Sequence, residues 1–244
     1  MGLLATKVLD ARRVAGDVLH LKLEVPRGFA WKTGEYAGLA LEVEGQPVMR
    51  LYSIASPAGS PSVDFIVTRA KGGTLSPRLH ALASGDEVLI EQKTGGTLLP
   101  DRLAPKASDL WLFASGSGIA PFLAMAADSS VMESFERVIV VHGARTWDDA
   151  GYVARMIARS PKLRLLSAVT REKDAAIPKR IPLALEDGTL ERFAQASVSP
   201  EASRVMVCGN PGLVEGLMAV LAQKGFATGP MGCPGLVLVE SFGG

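Results

Sequence analysis

Arg50-Leu51-Tyr52-Ser53, continued by Ile54-Ala55-Ser56, is the stretch from which the rest of this 244-residue chain can be read. Side chains alternate across a strand, so Arg50 and Tyr52 share one face while Leu51 and Ser53 take the other. Arg50 offers a planar fork of donors suited to a pyrophosphate, and Tyr52 a flat ring that can lie against a planar heterocycle. Ser53 adds a small hydroxyl. Alone, the tetrapeptide favours an ordinary strand with one exposed arginine, so its surroundings carry the weight.

Those surroundings alternate. Leu19, Leu21, Leu23 and Val25 recur at every second position, and similar short strands read at residues 3–8, 36–43, 48–55, 63–69 and 87–91. Turn-rich segments separate them: Pro26-Arg27-Gly28, Glu44-Gly45-Gln46-Pro47 and residues 56–61. About six antiparallel strands without a long helix between them predict a small closed barrel. One helix interrupts it, approached by Lys71-Gly72-Gly73-Thr74-Leu75-Ser76-Pro77, with Ser76 expected to cap and Pro77 to occupy the first helical position. A glycine-rich approach to free helix amides suits phosphate.

The rhythm changes after residues 98–108, where Pro100, Pro105 and mixed charges mark a boundary. Leu110-Trp111-Leu112-Phe113-Ala114 is an unbroken apolar run of the kind buried on both faces, and residues 138–141, 163–169 and 205–207 repeat it. Helical stretches near 120–127, 152–158 and 213–224 alternate with these strands, which is the grammar of a parallel sheet. Ser115-Gly116-Ser117-Gly118-Ile119-Ala120-Pro121 follows the first strand, where open parallel sheets bind ligands; Pro121 departs from the full dinucleotide fingerprint. Arg145, Arg171 and Arg180 follow later strand ends. Two guanidiniums on one 2'-phosphate favour NADP over NAD.

Composition narrows the function classes. A net charge of +1 gives no argument for nucleic acid, and no apolar run is long enough to cross a bilayer, so no membrane insertion and a cytoplasmic location are expected. Cys208 and Cys233 are too few for an iron-sulfur cluster, and Cys233 reads as structural or incidental. His20, His80 and His142 form no metal-ligand pattern and read as structural.

Arg50-Leu51-Tyr52-Ser53, Val67-Thr68 and Gly73-Thr74-Leu75-Ser76-Pro77-Arg78-Leu79, with Gly116-Ser117-Gly118-Ile119-Ala120-Pro121-Phe122 and Cys208-Gly209-Asn210-Pro211 downstream, resemble the bacterial ferredoxin/flavodoxin-NADP(H) reductases over nearly the whole chain. The resemblance implies an antiparallel β-barrel FAD-binding domain at residues 1–103. It implies an α/β parallel-sheet NADP(H)-binding domain at 104–244, ending in a segment that covers the flavin. Arg50, Leu51, Tyr52, Ser53, Leu75 and Ser76 would then hold FAD, with backbone around Phe65, Ile66 and Val67 along the flavin edge. Gly116, Ser117 and Gly118 would cradle the pyridine nucleotide, Arg171 and Arg180 grip its 2'-phosphate, and Arg145 contact it. Cys208, with Gly209, Asn210 and Pro211, would stand beside the nicotinamide, acting by position rather than as a nucleophile.

Ser53, Cys208 and Glu240 are the catalytic candidates. Phe242 is the candidate cover of the flavin face, with Ser241 or the glycine tail as alternative occupants. The implied activity is that of a ferredoxin (flavodoxin)-NADP(+) reductase, in which FAD mediates hydride transfer with NADPH and one-electron exchange with ferredoxin or flavodoxin. Arg69, Lys71, Lys93 and Arg102 are candidates for drawing an acidic carrier, and a monomer is expected. Two alternatives remain open at this level: the reductase component of an oxygenase or a reductase of free flavin on the same domains, and a flavin-binding subunit that does not oxidise NADPH itself.

Overall fold

Residues 2–104, 107–227 and 235–242 are described by the structure, a computed structural model, and they form two sheets of different grammar. The first contains β1 (Leu3–Ala15), β2 (Val18–Glu24), β3 (Tyr36–Val43), β4 (Gln46–Ser53), β5 (Ser62–Thr68) and β6 (Glu87–Glu91), with a one-turn helix α1 (Ser76–Leu79) before β6. Its order is β4-β3-β6-β1-β2-β5, antiparallel throughout. An Ile54 to Phe65 bridge and the bond from Ala55 N to the Asp64 carbonyl (2.7 Å) join the end of β4 to β5 and close the barrel. Leu19, Leu21, Leu23, Leu39, Phe65, Val67, Leu79 and Ile90 fill it. Each such side chain contributes roughly 1.5–3 kcal/mol when fully buried.

Sequence reading and structure part in two places here. Strand β1 runs well past residue 8 because register shifts between Val8 and Asp10 and between Arg13 and Ala15 let it bend and go on pairing with β2. Ser76 does not cap α1: its hydroxyl accepts from the Ala70 amide (2.9 Å), tying down the glycine turn instead.

The second sheet is wholly parallel, in the order β11-β10-β7-β8-β9. Its strands are β7 (Asp109–Ser115), β8 (Arg137–Ala144), β9 (Leu163–Val169), β10 (Ser203–Gly209) and β11 (Val237–Ser241). The helices are α2 (Ala120–Ala127), α3 (Ser129–Glu133), α4 (Trp147–Met156), α5 (Ile181–Glu186), α6 (Thr189–Ala194) and α7 (Pro211–Gln223). Alternate residues of β7 serve opposite faces. Leu110, Leu112 and Ala114 pack with α2 and α4, whereas Trp111 and Phe113 pack with α5 and α7. Helix α4 starts five residues earlier than the apolar spacing suggested, because Thr146 and Asp149 form a reciprocal capping box.

The strand order reverses beside β7, with β8 and β9 on one side and β10 and β11 on the other, so a crevice opens at the carboxyl ends of β7 and β10. The barrel docks on the α2 and α4 face of this sheet. Ala15, Val18 and Ile66 of the barrel share an apolar cluster with Ile119, Tyr152 and Cys208. Polar bonds fix the same seam: Gly16 N to Asp148 (2.9 Å), Arg155 to the Val14 carbonyl (3.0 Å) and Thr33 to Asp128 (2.5 Å). Strand β11 is an edge strand, as its sequence suggests, but four of its five residues are buried. Cys233 and the glycine tail lie outside the described residues.

Candidate functional site

At the seam, Ser53 ends β4 while Cys208 and Glu240 are register neighbours on β10 and β11. The Ser53 hydroxyl is buried beside the Cys208 sulfur and meets no partner at full hydrogen-bond geometry. Glu240 Oε1 accepts from the Thr97 amide (2.6 Å) and hydroxyl (3.2 Å), whereas Oε2 is buried and faces no donor among the described residues. Burial raises the Glu240 carboxyl above its ordinary range, and the Thr97 bonds only partly offset this. Burial, then the charge of Glu240, pushes the Cys208 thiol well up, so the sulfur is protonated at neutral pH and is no nucleophile. Three residues far apart in sequence thus meet at one buried point, two of them with an unsatisfied oxygen.

Next to it lies a cleft of about 870 Å³ at the carboxyl edge of the parallel sheet. Gly116, Ser117, Gly118, Arg145, Arg171, Arg180, Gly209, Asn210 and Phe242 all stand on its wall. Backbone proximity explains the glycines. A Cβ on Gly118 would overlap the Cys208 carbonyl, and one on Gly209 would overlap Ser115 Oγ. Gly116 has φ +54° and open space where a side chain would project, leaving room for a ligand against the loop. Ser115 Oγ accepts from Asn210 N (3.2 Å) and Nδ2 (3.0 Å), locking the two loops together, and Asn210 Oδ1 caps α7 at Leu213 N (3.0 Å). Pro211 is off the wall, at the first position of α7, where its fixed φ suits a helix start.

The Arg171 amide bonds the Arg145 carbonyl (2.9 Å), holding these two arginines side by side, while Arg180 sits at the N-terminal boundary of α5. Among the described residues no carboxylate lies within ion-pair distance of any of the three. Their charge is therefore available to an anion.

The barrel's candidates lie off this cleft. Arg50 is exposed, its side chain bonded among the described residues only to the Met49 carbonyl (2.7 Å), and its charge reaches Tyr52, which is half-buried on the same face. Leu51, on the opposite face, is 46% exposed. Leu75, Phe65 and Val67 turn their side chains into the barrel core, so only their backbone can meet a ligand; Ile66 faces the seam instead. The Val67 carbonyl accepts from His80 Nε2 (3.0 Å), which leaves one of its lone pairs free. Beside α1, the amides of Thr74, Leu75 and Ser76 have no acceptor among the described residues.

One contributor escaped the sequence reading: Thr97, which belongs to no chemical motif, holds Glu240 from 143 positions away. Ser115 opens the loop read from sequence, but its coupling of the two glycine loops was not visible there. The histidines separate on inspection. His20 pairs with Asp64 (2.9 Å) and His80 with Val67, while His142 is buried on the cleft wall without such a bond. No metal-binding cluster exists among the described residues.

Comparison with known proteins is consistent along the chain. Residues 5–97 match an oxidoreductase FAD-binding domain and residues 112–218 an oxidoreductase NAD-binding domain. The ferredoxin–NADP reductase of Pseudomonas aeruginosa is 33% identical, over 96% of this chain and 95% of its own length. The flavodoxin/ferredoxin–NADP reductase of Escherichia coli is 34% identical over 74% of this chain and 75% of its own. A ferredoxin NADP+ reductase from Neisseria gonorrhoeae, solved with bound FAD and NADP, superposes with a TM-score of 0.91 at 25% identity, covering 98% of both chains.

Proposed function

The chain belongs to the ferredoxin–NADP reductase family, and from that premise we propose that it is an FAD-dependent oxidoreductase exchanging hydride with NADP(H) and single electrons with ferredoxin or flavodoxin. Bound FAD supplies the step between a two-electron donor and a one-electron carrier. We place the division between its two units at residues 103 and 104, after the turn at Pro100–Arg102 and before β7.

The observation that carries this reading is the meeting of Ser53, Cys208 and Glu240 where the barrel faces the carboxyl edge of the parallel sheet. The unsatisfied Ser53 hydroxyl fits a polar atom on the edge of a flavin ring. Arg50 and the free amides beside α1 fit its pyrophosphate, and Tyr52 its ring face. Gly116 to Gly118 would receive the NADP(H) pyrophosphate, and Arg171 and Arg180, aided by Arg145, its 2'-phosphate. Cys208, buried beside the cleft wall, would set the approach of a nicotinamide by its bulk. Glu240, held by Thr97, can keep or release a proton at Oε2 beside it. Phe242, anchored through its amide to the Gly209 carbonyl (2.9 Å), stands between the cleft and the seam and would exclude water until nucleotide enters. Exposed Arg69, Lys71, Lys93 and Arg102 would draw an acidic carrier. A monomeric cytoplasmic protein is consistent with this reading, and no helix among the described residues is long and apolar enough to cross a membrane.

Anaerobic mixing of the flavin-loaded protein with NADPH tests the reading. Loss of flavin absorbance followed by saturable reduction of ferredoxin or flavodoxin is expected. Absence of bleaching would leave a flavin-binding subunit, and bleaching without carrier saturation would leave a reductase for another acceptor.

A further inference from the structure

The nucleotide cleft is walled by residues of both the parallel sheet and the barrel. Toward α5 and α7 its wall is Ile181, Pro182 and Leu213 with Arg180 above them. Toward the barrel its wall is Val18, Thr68 and Phe242, with His142 and Tyr152 behind. His142 and Tyr152 are each 1% exposed, and their rings meet edge to face with centroids 6.0 Å apart. Nδ1 and Nε2 of His142 and the Tyr152 hydroxyl all lack a hydrogen-bond partner among the described residues. The Gly116 carbonyl lies near the imidazole but makes no bond of proper geometry with it.

A buried polar group left unsatisfied costs about 1–3 kcal/mol. Two such groups side by side on a cavity wall are therefore expected to meet something that enters the cavity. The chemistry of that something is constrained. Burial brings the His142 pKa down to about 4 and raises that of Tyr152, so both are uncharged at neutral pH. Asp149, the charged group acting on both rings, is an acid. A neutral pair offers both donors and acceptors without charge and so matches hydroxyl, amide or amino groups.

We propose that His142 and Tyr152 form a neutral recess receiving the sugar or base end of a nucleotide whose phosphates are held elsewhere in the site. The inference rests on the nucleotide-binding reading above. It divides recognition in two: arginines and backbone amides take the anionic groups, and this pair takes an uncharged one. Two nucleotides present the required chemistry, the pyridine dinucleotide in the cleft and the adenosine end of FAD reaching across from the barrel.

Tyr152→Phe deletes one oxygen and conserves the ring; His142→Leu deletes both nitrogens at similar volume and carries the test if the first variant does not fold. Flavin-loaded wild type and variants are titrated calorimetrically with NADP+, and FAD release on dilution is followed by the rise in flavin fluorescence. A roughly 5- to 10-fold loss is expected in one of the two affinities, the size of one lost hydrogen bond. Weaker NADP+ with unchanged FAD release assigns the recess to the dinucleotide, and the reverse assigns it to the flavin cofactor. Both affinities within twofold of wild type would overturn the proposal, leaving the pair satisfied by internal water alone. Failure of the wild type to bind NADP+ or FAD would instead sink the reading on which the proposal stands.

Discussion

The seam holding Ser53, Cys208 and Glu240 and the cleft holding Arg145, Arg171 and Arg180 lie at the same edge of one parallel sheet but are built from opposite materials. The seam is dry, and its ionisable groups are pushed toward their neutral forms by burial. The cleft is open, and its wall brings exposed guanidinium groups and glycine-loop backbone together with apolar side chains. Binding of a polyanion needs strong, accessible charge, while orienting a reaction needs fixed groups in a low dielectric. Placing the two side by side lets phosphates be held without bringing their charge to the reacting atoms. Gly118 and Gly209 are the joint between them, because each touches backbone or side chain belonging to the other loop.

Breaking the joint should therefore do the most damage. Gly118→Ala would drive a methyl into the Cys208 carbonyl and displace the seam and the loop together. A fall in kcat with NADPH on the order of 100-fold is expected from such a misplacement, with a lowered Tm; near-normal turnover would mean that the loops are not coupled.

Glu240→Gln tests the seam alone. Stopped-flow reduction by NADPH should slow by roughly 10- to 100-fold, the scale of a lost proton-handling group, with KM for NADPH little changed. The same variant has a signature in stability. A carboxyl whose folded pKa is raised binds its proton more tightly folded than unfolded, so stability falls as pH rises from the ordinary value of 4.5 through the folded pKa. The Gln variant should lose that decline in chemical denaturation across pH. His142 has the opposite sign: a folded pKa of about 4 against 6.5 makes the protein lose stability as pH drops through that window. The loss amounts to roughly 3 kcal/mol at most, and His142→Leu should flatten the acid limb.

Arg171→Ala tests the cleft alone. The KM for NADPH should rise about tenfold, the worth of a charge-assisted hydrogen bond, while the KM for NADH stays put; equal effects on both would place the 2'-phosphate elsewhere. The smallest change is expected from thiol chemistry. With its pKa raised, Cys208 should resist alkylation at pH 7 until the protein is denatured, and Cys208→Ser should lower kcat less than Glu240→Gln does. Rapid native labelling would show that the seam is wetter than its burial indicates.

Much of the fold was legible because it follows from local pattern. Period-two alternation gave the barrel strands and unbroken apolar runs gave the parallel ones, since each records which faces of a strand are buried. The loops at Gly116 to Gly118 and Gly209 to Pro211 were equally visible, because glycine and proline constrain backbone at a fixed position. Less legible were the one-turn α1, where Ser76 turned to Ala70 rather than to its own helix, and the early start of α4. Ser76 had two partners within reach and the sequence does not rank them, while the start of α4 was set by a capping box that lies before its apolar spacing begins.

The sequence by itself determined two sheets of different kinds, the strand ends at which ligands gather, and the residue types able to hold phosphate, since these depend on neighbours within a few positions. Tertiary structure alone decided that residues 53, 97, 208 and 240 meet, that Ser115 ties one loop to another, and that His142 and Tyr152 share a wall without partners of their own. Contacts of that kind depend on how the barrel is seated against the parallel sheet, and burial, which sets the protonation of every group at the seam, exists only once the two surfaces have closed on each other.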